Sequence, residues 1–197
     1  MYYPFKIGIF GQSGYGKTYL LTRILKHLKI KSIILDIEHE IRDNTFNFSC
    51  GKNIFDFIRE FLEASKGVYV VNPDCKEDLK VFFNLLPYLK RCVIGIDELV
   101  PISNQQNFEN NNLRDAIFFG RHRELGIIGG SQRIRGIPKS FVSQCNMIIT
   151  FRLSDPNDRQ YLKGKFSNSE LEEIGVLPEF KYLTFPKHID INNLFDK

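Results

Sequence analysis

Apolar and amphipathic segments alternate along this chain. Short apolar runs, typical of buried strands, cover residues 6–10, 32–36, 67–71, 92–97, 125–129 and 147–153. Between them, apolar residues recur at helical spacing, which predicts helices at 19–28, 54–62, 79–86, about 113–121 and about 158–163. A last stretch, Lys181–Phe185, predicts an edge strand. The alternation favours an α/β fold with a mostly parallel central sheet and helices on both faces.

The length of 197 residues suits a single domain with a full hydrophobic core. We expect one domain over residues 1–197, with its core at about 5–162 and a C-terminal extension at 163–197 that contains the edge strand. No apolar run is long enough to span a membrane, and the N-terminus has no signal-peptide pattern. These features predict a cytoplasmic protein.

The composition is that of a soluble globular protein, with 43% hydrophobic and 25% charged residues. The scattered cysteines, Cys50, Cys75, Cys92 and Cys145, include no C-x-x-C pair. They therefore predict neither a zinc site nor a disulfide framework. The net charge of +4 permits an anionic partner without requiring one.

One segment carries specific chemistry, because it spells G-x-x-x-x-G-K-T between a predicted strand and a predicted helix. Glycines let successive backbone N–H groups surround phosphates, and the positive end of the following helix points at them. Lys17 is predicted to contact the terminal phosphates of a nucleoside triphosphate, and the Thr18 hydroxyl to hold Mg²⁺. An accidental glycine turn is the alternative. The predicted nucleotide-binding residues are Gly11, Gln12, Ser13, Gly14, Tyr15, Gly16, Lys17 and Thr18.

Two acids, Asp97 and Glu98, end the most hydrophobic predicted strand. Asp97 is predicted to hold the Mg²⁺ shell from the far side of the phosphates. Glu98 is predicted to polarise the water that attacks the γ-phosphate. The alternative interpretation is a pair of solvated acids at a strand boundary. Water activation favours hydrolysis over phosphoryl transfer to a small molecule.

Gln132 follows the next predicted strand, after Gly129–Gly130 and Ser131. Its amide can hydrogen-bond both the attacking water and the γ-phosphate, so we predict a sensor of the intact nucleotide. A strand-end glutamine is more often simply solvated. The order of the motifs, rather than this residue alone, supports the prediction.

Arginines cluster around the same strand. Arg121, then Arg123, then Arg114 are the candidates to reach the γ-phosphate of a neighbouring subunit and stabilise its transition state. Surface ion pairs with Glu124 or Asp115 are the alternative.

The segment after Gln132 is basic and contains glycine and proline. Arg133, Arg135 and Lys139 can neutralise the phosphates of a polyanion without reading its sequence, and they are the predicted DNA contacts. A loop that is only solvated is the alternative.

Taken in order, these motifs resemble the FtsK–HerA superfamily of DNA-pumping ATPases, and among them the packaging ATPases of tailless icosahedral double-stranded DNA viruses with internal membranes. The pattern comprises Gly11–Thr18, Ile96–Asp97–Glu98, Gly120–Arg121–His122 before a strand ending in Ser131–Gln132, and Phe151–Arg152–Leu153 with residues 155–162 behind it. It spans about Ile7 to Leu162, and only its first two motifs are individually specific.

The resemblance implies a RecA-like (ASCE) P-loop NTPase core and a ring of five or six subunits. It further implies Mg²⁺-dependent ATP hydrolysis that translocates double-stranded DNA into a preformed viral capsid, with an arginine acting in trans. A capsid or membrane-vertex protein is then the docking partner, in the host cytoplasm or at the packaging vertex of the virion. Unlike many cellular relatives, this sequence shows no appended DNA-guiding or membrane-anchoring domain, which favours the viral form.

Two other functions compete with this prediction. A small-molecule P-loop kinase also fits the length, with the segment Arg152–Arg159 as an arginine-bearing lid, but it leaves Asp97–Glu98 and Gln132 unexplained. A nucleotide-gated interaction module would bind ATP to dock on a partner and would turn over negligibly.

Overall fold

A mostly parallel sheet forms the centre of the protein in this computed structural model, which describes residues 5–41, 54–73 and 76–187. The strand order is β3-β2-β4-β5-β1-β6-β7, and only β7 is antiparallel to its neighbour within the described residues. The strands are β1 (Lys6–Phe10), β2 (Ser32–Leu35), β3 (Val68–Val71), β4 (Cys92–Ile96), β5 (Leu125–Ser131), β6 (Met147–Thr150) and β7 (Leu183–Phe185).

Helices cover both faces of this sheet, as the alternation of segments predicts. They are α1 (Lys17–Leu28), α2 (Ile54–Glu63), α3 (Lys76–Leu85), α4 (Asn111–Phe119), α5 (Lys139–Gln144), α6 (Pro156–Gln160) and α7 (Asn168–Val176). Short 3₁₀ turns lie at Leu86–Tyr88, Val100–Ile102, Gly120–Arg123 and Ile134–Gly136.

Two separate hydrophobic clusters hold these layers together. On one face, Leu21, Ile24 and Leu25 of α1 pack against Ile7 and Ile9 of β1. The larger cluster, on the other face, combines side chains of α4, α5 and α7 with strand residues. Because the central strands are covered on both sides, their sequences read as continuous apolar runs rather than as alternating ones.

The predicted C-terminal extension contributes to the larger cluster. Leu171 and Ile174 of α7 are buried in it, and β7 pairs with β6 at the edge of the sheet. The edge strand predicted at 181–185 is confirmed. No helix was predicted at α7, although Ser167 and Glu170 form a capping box at its start, a sequence signal that could have revealed it.

Several element boundaries differ from the predictions, and two of these differences bear on the candidate site. The strand predicted at 147–153 ends at Thr150, because Phe151 and Arg152 turn to contact the glycine loop. The helix predicted to reach Arg121 ends at Phe119 and continues as a 3₁₀ turn. Arg114 and Arg121 therefore belong to different elements.

Cys92 and Cys145 are buried free thiols, whereas Cys50 and Cys75 lie outside the described residues. Burial raises the pKa of both described thiols to about 12, so neither is a reactive thiolate at neutral pH. Among the described helices, none combines the length and the apolar composition needed to cross a membrane.

Candidate nucleotide site

The glycine-rich segment forms a loop between β1 and α1 at the carboxyl edge of the sheet. Gly14 and Gly16 have φ values of 80° and 97°, which glycine adopts without strain. The loop is held from both sides, since the Gly11 amide donates to the Ser131 carbonyl at 3.2 Å and the Gln12 amide donates to the Arg152 carbonyl at 3.0 Å. No side chain caps the N-terminus of α1, which leaves its positive end available to an anion.

Lys17 is buried within this loop, with 8% of its surface exposed. Its Nζ donates a hydrogen bond to the Gln12 carbonyl at 3.0 Å. Burial lowers the pKa of Lys17, and the nearby carboxylates, Glu98 foremost, oppose that shift. The ammonium is thus held at the loop by a hydrogen bond to a carbonyl oxygen. A phosphate oxygen could take the place of that carbonyl.

Glu98 is a buried carboxylate that ties the end of β4 to the end of β5. Its Oε1 accepts from the Val100 amide at 3.1 Å and from the Ser131 hydroxyl at 2.9 Å. Its Oε2 accepts from the Gln132 amide at 2.8 Å. Burial raises the pKa of Glu98, while these hydrogen bonds oppose the shift. A carboxylate with a raised pKa is a better proton acceptor from water than an exposed one.

Asp97 is also buried, and its carboxylate accepts from three backbone amides. Its Oδ1 accepts from the amides of Ile37 and Glu98, at 2.9 and 2.8 Å, and its Oδ2 accepts from the Glu38 amide at 3.1 Å. Burial raises the pKa of Asp97 to about 7, and the bonds from Ile37 and Glu38 oppose this. Asp97 therefore fixes the segment that follows β2, and the Mg²⁺ role predicted for it stays a prediction.

The end of β5 lies directly between the glycine loop and the two acids, because β5 pairs with both β1 and β4. At Gly130, β5 lies so close to the end of β4 that a side chain would not fit. A Cβ there would stand 2.2 Å from the Asp97 carbonyl oxygen. The Gln132 side chain points to Glu38, since its Nε2 donates to that carboxylate at 3.0 and 3.2 Å. The structure thus brings Gln132 and Glu98 together.

Sequence reasoning missed three acids that follow β2. Asp36 is buried and accepts from the Glu40 and Ile41 amides and from the Asn72 side chain. Glu38 contacts Gln132, and Glu40 accepts a 2.7 Å hydrogen bond from the Thr18 hydroxyl. Carboxyl ends of parallel strands form a common edge, so acids at the end of any such strand were candidates.

These groups surround a cavity of about 200 Å³ beside the glycine loop, lined by Lys17, Thr18, Glu38, Glu40, Asp97 and Glu98 among others. Its oxygen ligands are of the kind that Mg²⁺ prefers, and Mg²⁺ in nucleotide sites is held by few protein groups together with phosphates and waters. Accordingly, no set of three or more His, Cys, Asp or Glu side chains within the described part of the chain forms a metal site by itself. The residues present fit a nucleotide-borne Mg²⁺.

Arg121, the first of the predicted trans arginines, lies at the end of the sheet opposite the glycine loop, where the parallel strands begin. We call this end the amino edge. Arg121 is exposed and lines a cavity of about 970 Å³ together with Lys6, Leu125 and Asn146, which mark the amino ends of β1, β5 and β6. The five residues of β1 separate this edge from the glycine loop by about 13 Å, at roughly 3.3 Å per residue. Arg121 therefore does not serve the site of its own chain.

The two other arginine candidates have partners. Arg123 donates to the Leu86 carbonyl, and Arg114 pairs with Asp115 at 3.1 Å, which is the surface ion pair considered above. Glu124 pairs instead with Arg91 at 3.5 Å. Of the three candidates, Arg121 therefore has the side chain that is most accessible to a neighbouring molecule.

The basic segment after Gln132 is folded rather than extended. Arg133 pairs with Asp155 at 3.2 Å and with the buried Asp158 at 3.1 Å. The Arg135 amide donates to Asp158, and the Lys139 ammonium lies 5.0 Å from the centre of the Tyr161 ring. This arrangement connects the residue next to Gln132 with α6.

The proposed kinase lid does not have free arginines. Arg152 donates to the Gly175 carbonyl and to the Tyr15 hydroxyl, at 3.2 and 3.3 Å. Arg159 donates to the carbonyls of Leu153 and Ser154, at 2.9 and 2.8 Å. Both guanidinium groups fix local structure in the described state, which offers no support for a lid.

The strand order, the glycine loop and the acids beside it define an α/β P-loop NTPase fold of the RecA-like type. The genome packaging NTPase B204 from Sulfolobus turreted icosahedral virus 2, in complex with ATP-gammaS, is similar with a TM-score of 0.71 and 24% identity, over 98% of this chain and 95% of that chain.

Two further solved structures share the fold. The cytoplasmic domain of EssC has a TM-score of 0.57 and 18% identity, over 82% of this chain and 34% of that one. The pCW3 conjugation coupling protein TcpA with ATPgS has a TM-score of 0.55 and 15% identity, over 91% and 56%. At the level of the fold, these similarities confirm the resemblance to FtsK–HerA ATPases and their viral packaging members.

No protein-family model matches the chain. A search of curated proteins also gives no match.

Proposed function

We propose that this protein is an ATP-hydrolysing motor that translocates double-stranded DNA and packages a viral genome into a preformed capsid. The observation that carries the proposal is the position of Glu98, a buried carboxylate bonded to Ser131 and to the Gln132 amide beside Lys17. Glu98 and Lys17 line one cavity, and the Gln132 side chain is bonded to Glu38, another residue of its lining. A base, a phosphate-binding lysine and a nearby sensor amide are the parts that γ-phosphate hydrolysis requires. The fold shared with the packaging NTPase B204 supports the motor assignment.

In this mechanism Lys17 and the backbone N–H groups of the glycine loop bind the β- and γ-phosphates. Thr18 and Asp97 would hold Mg²⁺ together with the nucleotide, and the ion would supply charge neutralisation at the phosphates. Glu98 accepts a proton from the attacking water, and Gln132 orients that water. Glu40 accepts from the Thr18 hydroxyl and Glu38 accepts from the Gln132 side chain, so carboxylates adjoin both groups that this mechanism uses.

The same proposal assigns the basic segment to DNA. Arg133, Arg135 and Lys139 follow Gln132 directly, so a change at the γ-phosphate can reach them through one short stretch of backbone. Arg133 is held by Asp155 and Asp158, which makes Arg135 and Lys139 the first contacts to consider. The working assembly is a ring of five or six subunits on a capsid or membrane-vertex protein, in the host cytoplasm or at the virion vertex.

The decisive test is phosphate release from ATP and Mg²⁺ with and without duplex DNA, over a series of salt concentrations. We expect stimulation by DNA that weakens as salt rises, because phosphate contacts release counterions. The double substitution Arg135→Ala and Lys139→Ala should reduce the stimulation, whereas Lys90→Ala, an exposed lysine at the amino edge, should not. Release that is indifferent to DNA would contradict the motor assignment while leaving an ATPase.

Arg121→Ala is expected to lower phosphate release about 10³- to 10⁵-fold and to spare ATP binding, as removal of an arginine finger does. The sharper measurement mixes this variant with Lys17→Ala subunits. A Lys17→Ala subunit still presents its own Arg121, so mixed assemblies should recover part of the activity that neither variant has alone. Absence of recovery at any mixing ratio, or full activity of Arg121→Ala alone, would contradict action in trans.

A further inference from the structure

Two exposed aromatic side chains lie at the cavity beside the glycine loop. Tyr19 is 70% exposed on the first turn of α1, and Phe180 is 63% exposed between α7 and β7. They are the aromatic members of the set that lines the cavity of about 200 Å³, together with Gly16, Lys17 and Thr18. Other exposed aromatics, such as Tyr88, lie elsewhere, so the shared position of these two rings at one cavity is the informative feature, because it gives that cavity an aromatic surface.

The backbone of Phe180 is held in a conformation that its side chain disfavours. The Lys181 amide donates to the Pro178 carbonyl at 3.2 Å, which closes a turn with Phe180 at its third position. There φ is 60°, in the left-handed region where glycine or asparagine is usual and a bulky residue is an outlier. Local folding alone would favour a glycine at this position. A bulky side chain here therefore indicates that the ring has a role beyond forming the turn.

The ring lies directly against the loop that is expected to hold the phosphates. A Cβ on Gly16 would stand 3.0 Å from Cδ1 of Phe180. The turn is fixed from behind, because the neighbouring Tyr182 packs edge-on against Phe151 with 5.5 Å between ring centres, and the Arg152 carbonyl accepts from the Gln12 amide. The aromatic surface and the glycine loop are therefore parts of one continuous scaffold.

The groups around the cavity differ in which part of a nucleotide they suit, the triphosphate or the base. Lys17 and the loop N–H groups suit the triphosphate, while the exposed carboxylates Glu38 and Glu40 repel anions and offer no apolar surface. A nucleobase is flat, uncharged and apolar on its faces, and it requires a surface of the kind that Phe180 and Tyr19 supply.

We propose that Phe180 is the stacking platform for the base of the bound nucleotide, with Tyr19 as a second aromatic wall. This inference rests on the proposed function, because it assumes that the triphosphate occupies the glycine loop. It assigns a binding role to the C-terminal segment, which lies beyond the P-loop, the strand-end acids and the sensor motif.

The test compares ATP with inorganic tripolyphosphate, which carries the phosphates without a base. Phe180→Asn removes the ring and places at φ 60° a residue that tolerates it, so the fold is preserved. We expect ATP to bind about 5- to 150-fold more weakly, the range that base stacking gives, and tripolyphosphate to bind unchanged. Phe180→Trp should retain ATP affinity, and Tyr88→Ala, another exposed aromatic at the amino edge, should change neither ligand. Thermal melting of each variant reports its folding.

The outcomes separate this inference from the proposed function. Equal weakening of ATP and tripolyphosphate would show that Phe180 only supports the glycine loop, and would overturn the stacking role. Unchanged ATP affinity in Phe180→Asn would overturn it as well, with the ATPase assignment intact. If the wild-type protein bound neither ligand, both the nucleotide site and the base platform would be wrong.

Discussion

Replacing Lys17 with alanine is expected to remove measurable ATP binding at ordinary concentrations, and hydrolysis with it. Lys17 is a buried cation of the site and is expected to pair with a terminal phosphate. Truncating one partner of a buried, hydrogen-bonded charge pair costs about 2–5 kcal/mol. That cost corresponds to about 30- to 5,000-fold weaker binding. The loss is aggravated because Asp97 and Glu98 then face the phosphates without a compensating ammonium.

Titration calorimetry with ATP and Mg²⁺ measures the Lys17→Ala effect, with Lys26→Ala as the matched control on the exposed face of the same helix. Alanine is a good helix former, so the variant should melt near the wild-type temperature. Full hydrolysis by Lys17→Ala would be incompatible with the entire nucleotide assignment.

Glu98→Gln is expected to hydrolyse ATP about 10²- to 10⁴-fold more slowly while it still binds the nucleotide. The amide has nearly the shape of the carboxylate but cannot accept the proton of the attacking water. It also replaces one acceptor oxygen by a donor that meets the Val100 or Gln132 amide, which costs on the order of 1–3 kcal/mol of stability.

Single-turnover phosphate release, paired with a binding titration, separates the chemical effect of Glu98→Gln from the structural one. Glu124→Gln is the control, because Glu124 is exposed and pairs with Arg91 at the amino edge. Wild-type release by Glu98→Gln would exclude Glu98 as the base, whereas lost ATP binding would indicate that the substitution disturbs the loop after β5.

The sequence was most informative where a function depends on consecutive residues. The glycine loop and the acid pair after β4 are local patterns, and the apolar runs sufficed to predict a mostly parallel sheet. The contacts of Glu38 and Glu40 depend on β2 lying beside β4, which no local pattern specifies. Phe180 was missed for the same reason, since only the packing of the C-terminal segment brings it to Gly16.

Sequence distance alone does not reveal where the arginines lie. Arg121 is only eleven positions before Gln132. The seven residues of β5 lie between them and run from one end of the strands to the other. The two residues therefore lie at opposite ends of the sheet. The hydrophobic pattern could not predict this placement. A parallel strand buried on both faces has no polar face that would indicate its direction or its neighbours.

If Arg121 acts in trans, as proposed, its separation from the glycine loop gives each molecule a donor edge and an acceptor edge. A two-fold dimer joins identical patches, so it would not bring every donor to an acceptor unless both edges shared one interface. Head-to-tail contacts satisfy every site and form either a closed ring or an open filament, depending only on the rotation between neighbours. On this view the packing angle between subunits, rather than any single residue, decides whether the protein works as a motor or polymerises.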